Sequence, residues 1–182
     1  LYYAPDPSSQ QVCTIGGNLA ENAGGAHSLK YGFTVNHVLA ATVVLPDGEI
    51  VELGGDAPDQ PGLDLLGVLI GSEGTVGIVT EALLRLVPKP EHIETLVAMF
   101  PSTETAGDAV SAIIADGVVP AAIEMMDRLA IEAAKTQTPI DWDTEAALIV
   151  ELDGPVSEVR SQFEDVTAIC ARCGSDDVRV AQ

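Results

Sequence analysis

The stretch from Pro5 to Gly25 concentrates glycine with small hydroxyl and amide side chains: Thr14-Ile15-Gly16-Gly17-Asn18-Leu19-Ala20-Glu21-Asn22-Ala23-Gly24-Gly25 follows Pro5-Asp6-Pro7-Ser8-Ser9 and Cys13. Glycine lets a backbone approach a ligand closely, and successive N–H groups form a concavity that suits an anion. Cys13 to Gly25 holds no Lys or Arg and one Glu, with Lys30 the nearest cation. A phosphate or pyrophosphate bound there must therefore be held by neutral dipoles at a helix start. The competing reading is that these glycines only make two tight turns around a short Asn-Leu-Ala-Glu-Asn helix. A second block, Gly71-Ser72-Glu73-Gly74-Thr75-Val76-Gly77-Ile78-Val79-Thr80-Glu81, is a glycine-spaced loop that passes directly into a strand. With no Cβ in the way, its main-chain groups could line a flat ligand such as an isoalloxazine or adenine edge.

Other candidates carry less. His27 could face such a ring or a substrate carboxylate, or be a loop imidazole bonded to backbone. His37 and His92 have no ligand spacing to one another. Glu73 either orders its loop by accepting backbone N–H bonds or is solvated. Cys170 and Cys173 form a C-x-x-C with no second ligand pair to complete a metal tetrahedron. The pair sits at a helix end, whereas thiol activation needs a helix start, so these cysteines read as structural. No metal site is expected. The Met125-Met126 pair reads as core packing, and Asp141-Trp142-Asp143 as an acidic loop with a partly buried indole. Neither G-x-G-x-x-G nor G-x-x-x-x-G-K-[ST] occurs, which leaves out a Rossmann or P-loop nucleotide site.

The elements that must position these blocks follow from apolar rhythm. His37–Leu45 is a β-rich run, Pro46-Asp47-Gly48 a turn, and Glu49–Leu53 alternates, which together make a hairpin. Leu63–Ile70 reads as a short helix delivering the chain into Gly71, and Val76–Val87 as a strand. Pro88-Lys89-Pro90 stops the strand and marks the best domain boundary. Beyond it come a strand at Ile93–Phe100, a helix opened by Pro101-Ser102-Thr103-Glu104 and running to Asp116, and a strand at Ala121–Met125. A helical excursion at Asp127–Lys135, a strand at Ala146–Leu152, a helix from Pro155 to about Arg172 and a strand at Val178–Val180 complete the order. This is the ferredoxin-like split βαβ pattern with a helical insert, in an α+β chain.

The 182 residues carry 8 basic and 28 acidic side chains, a formal charge of −20, with 47% apolar residues. Both halves are acidic, so a nucleic acid or an anionic membrane surface is an improbable partner. No apolar run reaches the roughly 18 residues needed to span a bilayer. The opening Leu-Tyr-Tyr-Ala-Pro has no signal-peptide character and reads as internal to something longer. Three cysteines, an odd number, suggest a cytoplasmic setting.

Taken together, Thr14–Asn18, Glu21–Gly25, Lys30-Tyr31-Gly32 and Gly71–Glu81 resemble the vanillyl-alcohol-oxidase (PCMH) type of FAD-binding domain. More narrowly, they resemble FAD-linked 2-hydroxy-acid dehydrogenases of the glycolate oxidase large-subunit and D-lactate dehydrogenase kind. Ala122-Ile123-Glu124-Met125-Met126-Asp127 extends the likeness into that family's C-terminal cap. The resemblance implies a flavin enzyme that takes a hydride from the α-carbon of a 2-hydroxy acid to FAD N5. Reoxidation would fall to a downstream acceptor such as an iron–sulfur subunit.

The resemblance places residues 1–90 as the second part of the FAD-binding domain and 91–182 as part of the cap. It implies that Pro7, Ser8, Cys13, Thr14, Ile15, Gly16, Gly17 and Asn18 line flavin and pyrophosphate. Ala20, Asn22, Gly24 and Gly25 would complete that wall, and Glu73, Gly74, Gly77, Ile78 and Val79 would close it. The family's upstream glycine loop and downstream His-rich segment are missing from this sequence, so catalytic residues other than His27 have no candidate here. The chain alone is expected to bind FAD weakly or not at all and to turn nothing over. The alternative is a non-catalytic acidic module that kept the scaffold and acts through protein contacts. A flavin reductase acting on cell-wall precursors shares the domain type but has a different second domain.

Overall fold

In a computed structural model, residues 1–57 and 61–180 are described, and the contacts divide the chain into two compact units, residues 1–89 and 90–182. Each is built around its own antiparallel sheet.

In the first unit, α1 (Ile15–Glu21) and α2 (Ser28–Tyr31) precede a helical turn at Thr34–Asn36, strand β1 (Val38–Val44) and strand β2 (Ile50–Gly54). Helix α3 (Leu65–Leu69) and strand β3 (Ile78–Leu84) follow. The strands order β2-β1-β3, with Val44 opposite Ile50 across the expected Pro46-Asp47-Gly48 turn and opposite Ile78 on the other side. Strand β3 starts two residues later than the apolar run, because buried Gly77 passes against β1. A Cβ there would stand 2.6 Å from Val43 Cγ1 and 2.9 Å from the Val44 carbonyl oxygen. The strand ends at Leu84, and Val87 instead pairs with Tyr2 in an isolated bridge. Leu19, Val38 and Ile70 form one apolar cluster and Ala41, Val43 and Leu69 another, so α1 is seated on the sheet through Leu19 and the end of α3 through the consecutive residues Leu69 and Ile70. Helix α3 is shorter than the apolar stretch suggests because Asp64 caps it, accepting from the Gly67 amide at 2.8 Å.

The second unit runs β4 (His92–Phe100), α4 (Thr103–Ala115), β5 (Ala122–Asp127), α5 (Arg128–Lys135), β6 (Ala146–Gly154), α6 (Val156–Arg172) and β7 (Asp177–Val180). The sheet order β5-β6-β4-β7, all antiparallel, is the ferredoxin-like arrangement, with α5 as the insert. Period-two alternation sorts β4 cleanly. Leu96, Ala98 and Phe100 enter the core beneath α4 and α6, while Val97 packs on the opposite face with Ile131 and Ala147. Ser102 caps α4 and Asp127 caps α5, each accepting an amide of its first turn. Trp142 is half-buried against the second face, and its loop is tied to β7 by Arg179 on Asp141 at 2.9 Å. Of the methionine pair only Met126 packs into that cluster. Met125 is 42% exposed, since successive strand residues point to opposite faces and its own is left open near the sheet edge.

Two features of α6 give measurable expectations. The Thr167 hydroxyl is buried without a hydrogen-bond partner. Thr167→Val, nearly isosteric and equally β-branched, should raise stability by about 1 kcal/mol by removing an unsatisfied polar atom, read as a higher urea midpoint at unchanged slope. Cys170 is fully buried, and that burial, with the neighbouring Cys173, pushes its thiol up to about 11. The folded value lies above the unfolded one, so the stability it contributes is complete below about pH 9 and is lost as pH rises toward 11. Cys170→Ala should flatten that alkaline decline in urea midpoints taken from pH 8 to 11. This burial also bears out the structural reading of Cys170.

Candidate functional site

Helix α1 begins at Ile15, earlier than the Asn-Leu-Ala-Glu-Asn segment expected, because Thr14 caps it: its hydroxyl accepts from the Gly17 amide at 3.0 Å. That hydroxyl uses one of the amides expected to meet an anion. Helix geometry leaves the Ile15 and Gly16 amides without an intrahelical carbonyl. A Cβ built on Gly16 would meet nothing within 4 Å, so this residue presents bare backbone to open space.

That space is a hollow of about 240 Å³ shared by both glycine blocks. Gly16 and Ala20 form one wall, and Ser72, Gly74, Gly77, Ile78 and Val79 the other, over a floor of Leu19, Leu69 and Ile70. The walls are joined directly: the Gly71 amide donates to the Leu19 carbonyl and the Glu73 amide to the Ala20 carbonyl, both at 2.9 Å. Among the described residues, no charged one lines the hollow. Lys30, the nearest cation in sequence, has its Nζ 5.7 Å from the centre of the Tyr31 ring. Sites that enclose a whole small ligand measure roughly 300–1,000 Å³, so this hollow suits one part of a dinucleotide. Its apolar floor, glycine walls and lack of fixed charge fit a flat ring system or a neutral linker better than a free anion.

The backbone of the site is held in uncommon conformations. Asp6, Asn22 and Glu73 have φ values of 47°, 49° and 54°, the left-handed region that side chains other than Asn and Asp rarely enter. Glu73 lies between Gly71 and Gly74, which share that region, and is exposed. Its own amide, together with Thr75 Oγ1 donating to the Ser72 carbonyl at 2.6 Å, orders the loop, and its carboxylate takes no amide. Of the two roles open to Glu73, the solvated one is observed.

The remaining candidates divide. Gly16, Ala20, Gly74, Gly77, Ile78 and Val79 line the hollow, whereas the others surround it or lie further out. Pro7 is buried, and Ser8 is exposed in a turn closed by the Gln10 amide on the Pro7 carbonyl at 2.8 Å. Cys13 is half-buried, its thiol 3.8 Å from the Gln10 carbonyl. Asn18 is buried, and its carbonyl accepts the Ala23 amide at 2.9 Å. Gly24 and Gly25 are accounted for by packing. A Cβ on Gly24 would lie 2.4 Å from the Phe33 ring, and one on Gly25 would lie 1.8 Å from the Asp6 carbonyl oxygen. His27 places Nδ1 3.2 Å from the Ala4 carbonyl and its ring edge-on to Tyr31. Buried His37 sits with Nε2 2.9 Å from the Tyr31 carbonyl and its ring edge-on to Tyr3.

Two supports of these segments rest on partners that only folding brings together. Tyr3 Oη lies 2.7 Å from Thr34 Oγ1, which donates to the Ala23 carbonyl at 2.8 Å. Burial raises the Tyr3 phenol above its ordinary value, against the lowering effect of the Thr34 hydrogen bond. The Asn22 amide oxygen accepts the Val35 amide at 2.9 Å. Only the Asn at a helix end before Gly-Gly could have signalled the second.

Comparison with known proteins accords with this geometry. Residues 89–182 match the description "FAD linked oxidases, C-terminal domain", and residues 1–54 match "FAD binding domain". Glycolate oxidase subunit GlcD of Escherichia coli strain K12 is 52% identical over the whole chain, which spans 37% of that protein's length. GlcD of Bacillus subtilis strain 168 is 43% identical over the whole chain, spanning 39% of its length. D-lactate dehydrogenase of Anaerostipes hadrus is 36% identical over the whole chain, spanning 40%. Among solved structures, alkyldihydroxyacetonephosphate synthase superposes on 97% of this chain and 34% of its own, with a TM-score of 0.82 and 25% identity.

Proposed function

This chain belongs to the FAD-linked oxidase family, and from that premise we propose that it is the central part of an enzyme that oxidises a small 2-hydroxy acid, of the glycolate or D-lactate type, to the 2-oxo acid. The observation that carries the reading is the convergence of two glycine blocks, about fifty residues apart, on one uncharged hollow. Bound FAD would supply the acceptor for the hydride leaving the substrate α-carbon. The chain's own contribution is to the cofactor: the bare backbone of Gly16, Gly74 and Gly77 admits close approach, and Leu19, Leu69 and Ile70 keep water from the floor. In this reading residues 1–90 act as part of the FAD-binding domain and residues 91–182 as part of the cap that faces substrate.

Electrons would leave to a protein acceptor, such as an iron–sulfur subunit. The Escherichia coli and Bacillus subtilis relatives are themselves named as subunits. No helix among the described residues is long and apolar enough to cross a membrane. We propose a cytoplasmic setting from the three cysteines, all free. The test is anaerobic mixing of the full-length, FAD-loaded protein with glycolate, D-lactate and D-2-hydroxyglutarate in turn. Loss of flavin absorbance with at least one of them is expected. Bleaching by none would overturn the reading.

A further inference from the structure

Asn22 stands where three segments meet. It ends α1 in the left-handed conformation, with φ 49° and ψ 51°. Its Oδ1 accepts the Val35 amide at 2.9 Å, binding the helix end to the turn that leads into β1. On its other side is the second glycine block, where a Cβ on Gly71 would come within 3.1 Å of the Asn22 Cβ. The Gly71 amide is held on the Leu19 carbonyl, within the last turn of α1. Asn22 is absent from the lining of the hollow, although Ala20, two residues before it, and Ser72, next to Gly71, are both on the walls.

The residue type suits this place closely. Asparagine tolerates the left-handed region better than other side chains apart from glycine and aspartate. Glycine would tolerate it too but offers no oxygen for Val35. Alanine would strain the backbone and also lose the oxygen. A partly buried amide deprived of its acceptor carries part of the desolvation cost, so the Val35 N–H would pull the turn away from its present place to find another partner.

We propose that Asn22 is a positioning residue, which fixes the spacing of the two glycine walls through its left-handed backbone and its bond to Val35, and that it does not itself hold the cofactor. This rests on the reading of the hollow as a flavin site. The test uses the full-length protein with Asn22→Ala, Asn22→Gly and Asn22→Asp. FAD affinity is measured by flavin fluorescence quenching, and hydrogen exchange is followed at Val35, Gly71 and Glu73 in the FAD-free protein.

Asn22→Ala is expected to weaken FAD binding by about tenfold, roughly the worth of a lost, partly buried hydrogen bond. It should also speed exchange at all three amides. Asn22→Gly should spare Gly71 and Glu73 while exposing Val35. Asn22→Asp keeps both the conformation and the acceptor, and should restore exchange protection and most of the affinity. A direct ligand would behave otherwise, because a new carboxylate beside a polyanionic dinucleotide would bind it worst of the three. Asn22→Asp binding FAD as poorly as Asn22→Ala while its amides stay protected would overturn the proposal, as would unaltered exchange in Asn22→Ala. A wild-type protein with no FAD affinity would count against the flavin reading alone, since the exchange results stand without the cofactor.

Discussion

Gly25→Ala is expected to unfold the first unit. The added methyl would stand 1.8 Å from the Asp6 carbonyl oxygen, 2.3 Å from its carbon and 2.6 Å from the Pro5 carbonyl oxygen. These are backbone atoms of a segment pinned elsewhere: Ala4 is fully buried, Tyr3 is bonded to Thr34, and the Tyr2–Val87 bridge lies just before. Rotating a side chain cannot relieve the overlap, so one strand of chain must leave the other. The cost should exceed about 4 kcal/mol, a large share of the 5–15 kcal/mol that holds a typical domain folded. Circular dichroism in urea measures it, and a midpoint close to wild type would mean that the two segments do not cross in this way.

Gly16→Ala is expected to move two readouts in opposite directions. Gly16 lies within α1 with open space where a Cβ would go, so alanine should favour the helix by about 0.5–1 kcal/mol. The same methyl would project into the hollow, and FAD affinity in the full-length protein should fall by about tenfold or more, since a tight aromatic contact tolerates no added carbon at its face. Higher stability with weaker FAD binding separates a ligand-facing glycine from one that serves a turn. Unchanged FAD affinity would place Gly16 away from the cofactor.

Much of this architecture was legible in the sequence because local chemistry and global packing agree. The hairpin was written in the alternation of Glu49–Leu53 around Pro46-Asp47-Gly48, and the second unit in its sequence of strands, hydroxyl and acidic caps and closing glycines. Element ends were less legible. Strand β3 is trimmed at Gly77 by a close approach to Val43, a residue more than thirty positions away, and no local pattern encodes such a contact. The two glycine blocks announced a site, yet their members differ in what they do. Gly16 faces open space, Gly25 lets two segments cross, and Gly71 makes room for Asn22. All three look alike in sequence, because the absence of a side chain does not say which neighbour required it. The bonds made by Asn22 and Thr34 were not legible for a similar reason: their partners, Val35, Ala23 and Tyr3, are brought to them only by folding.

Residues 16–20 and 72–79 should face the same bound molecule. Hydrogen exchange of the full-length protein, followed residue by residue as FAD is added to the cofactor-free form, tests it most directly. Amides in both segments should slow together, in proportion to FAD bound, while those of the β1–β2 turn at Pro46–Gly48 stay unchanged. Slowing in one segment without the other, or in neither, would contradict it.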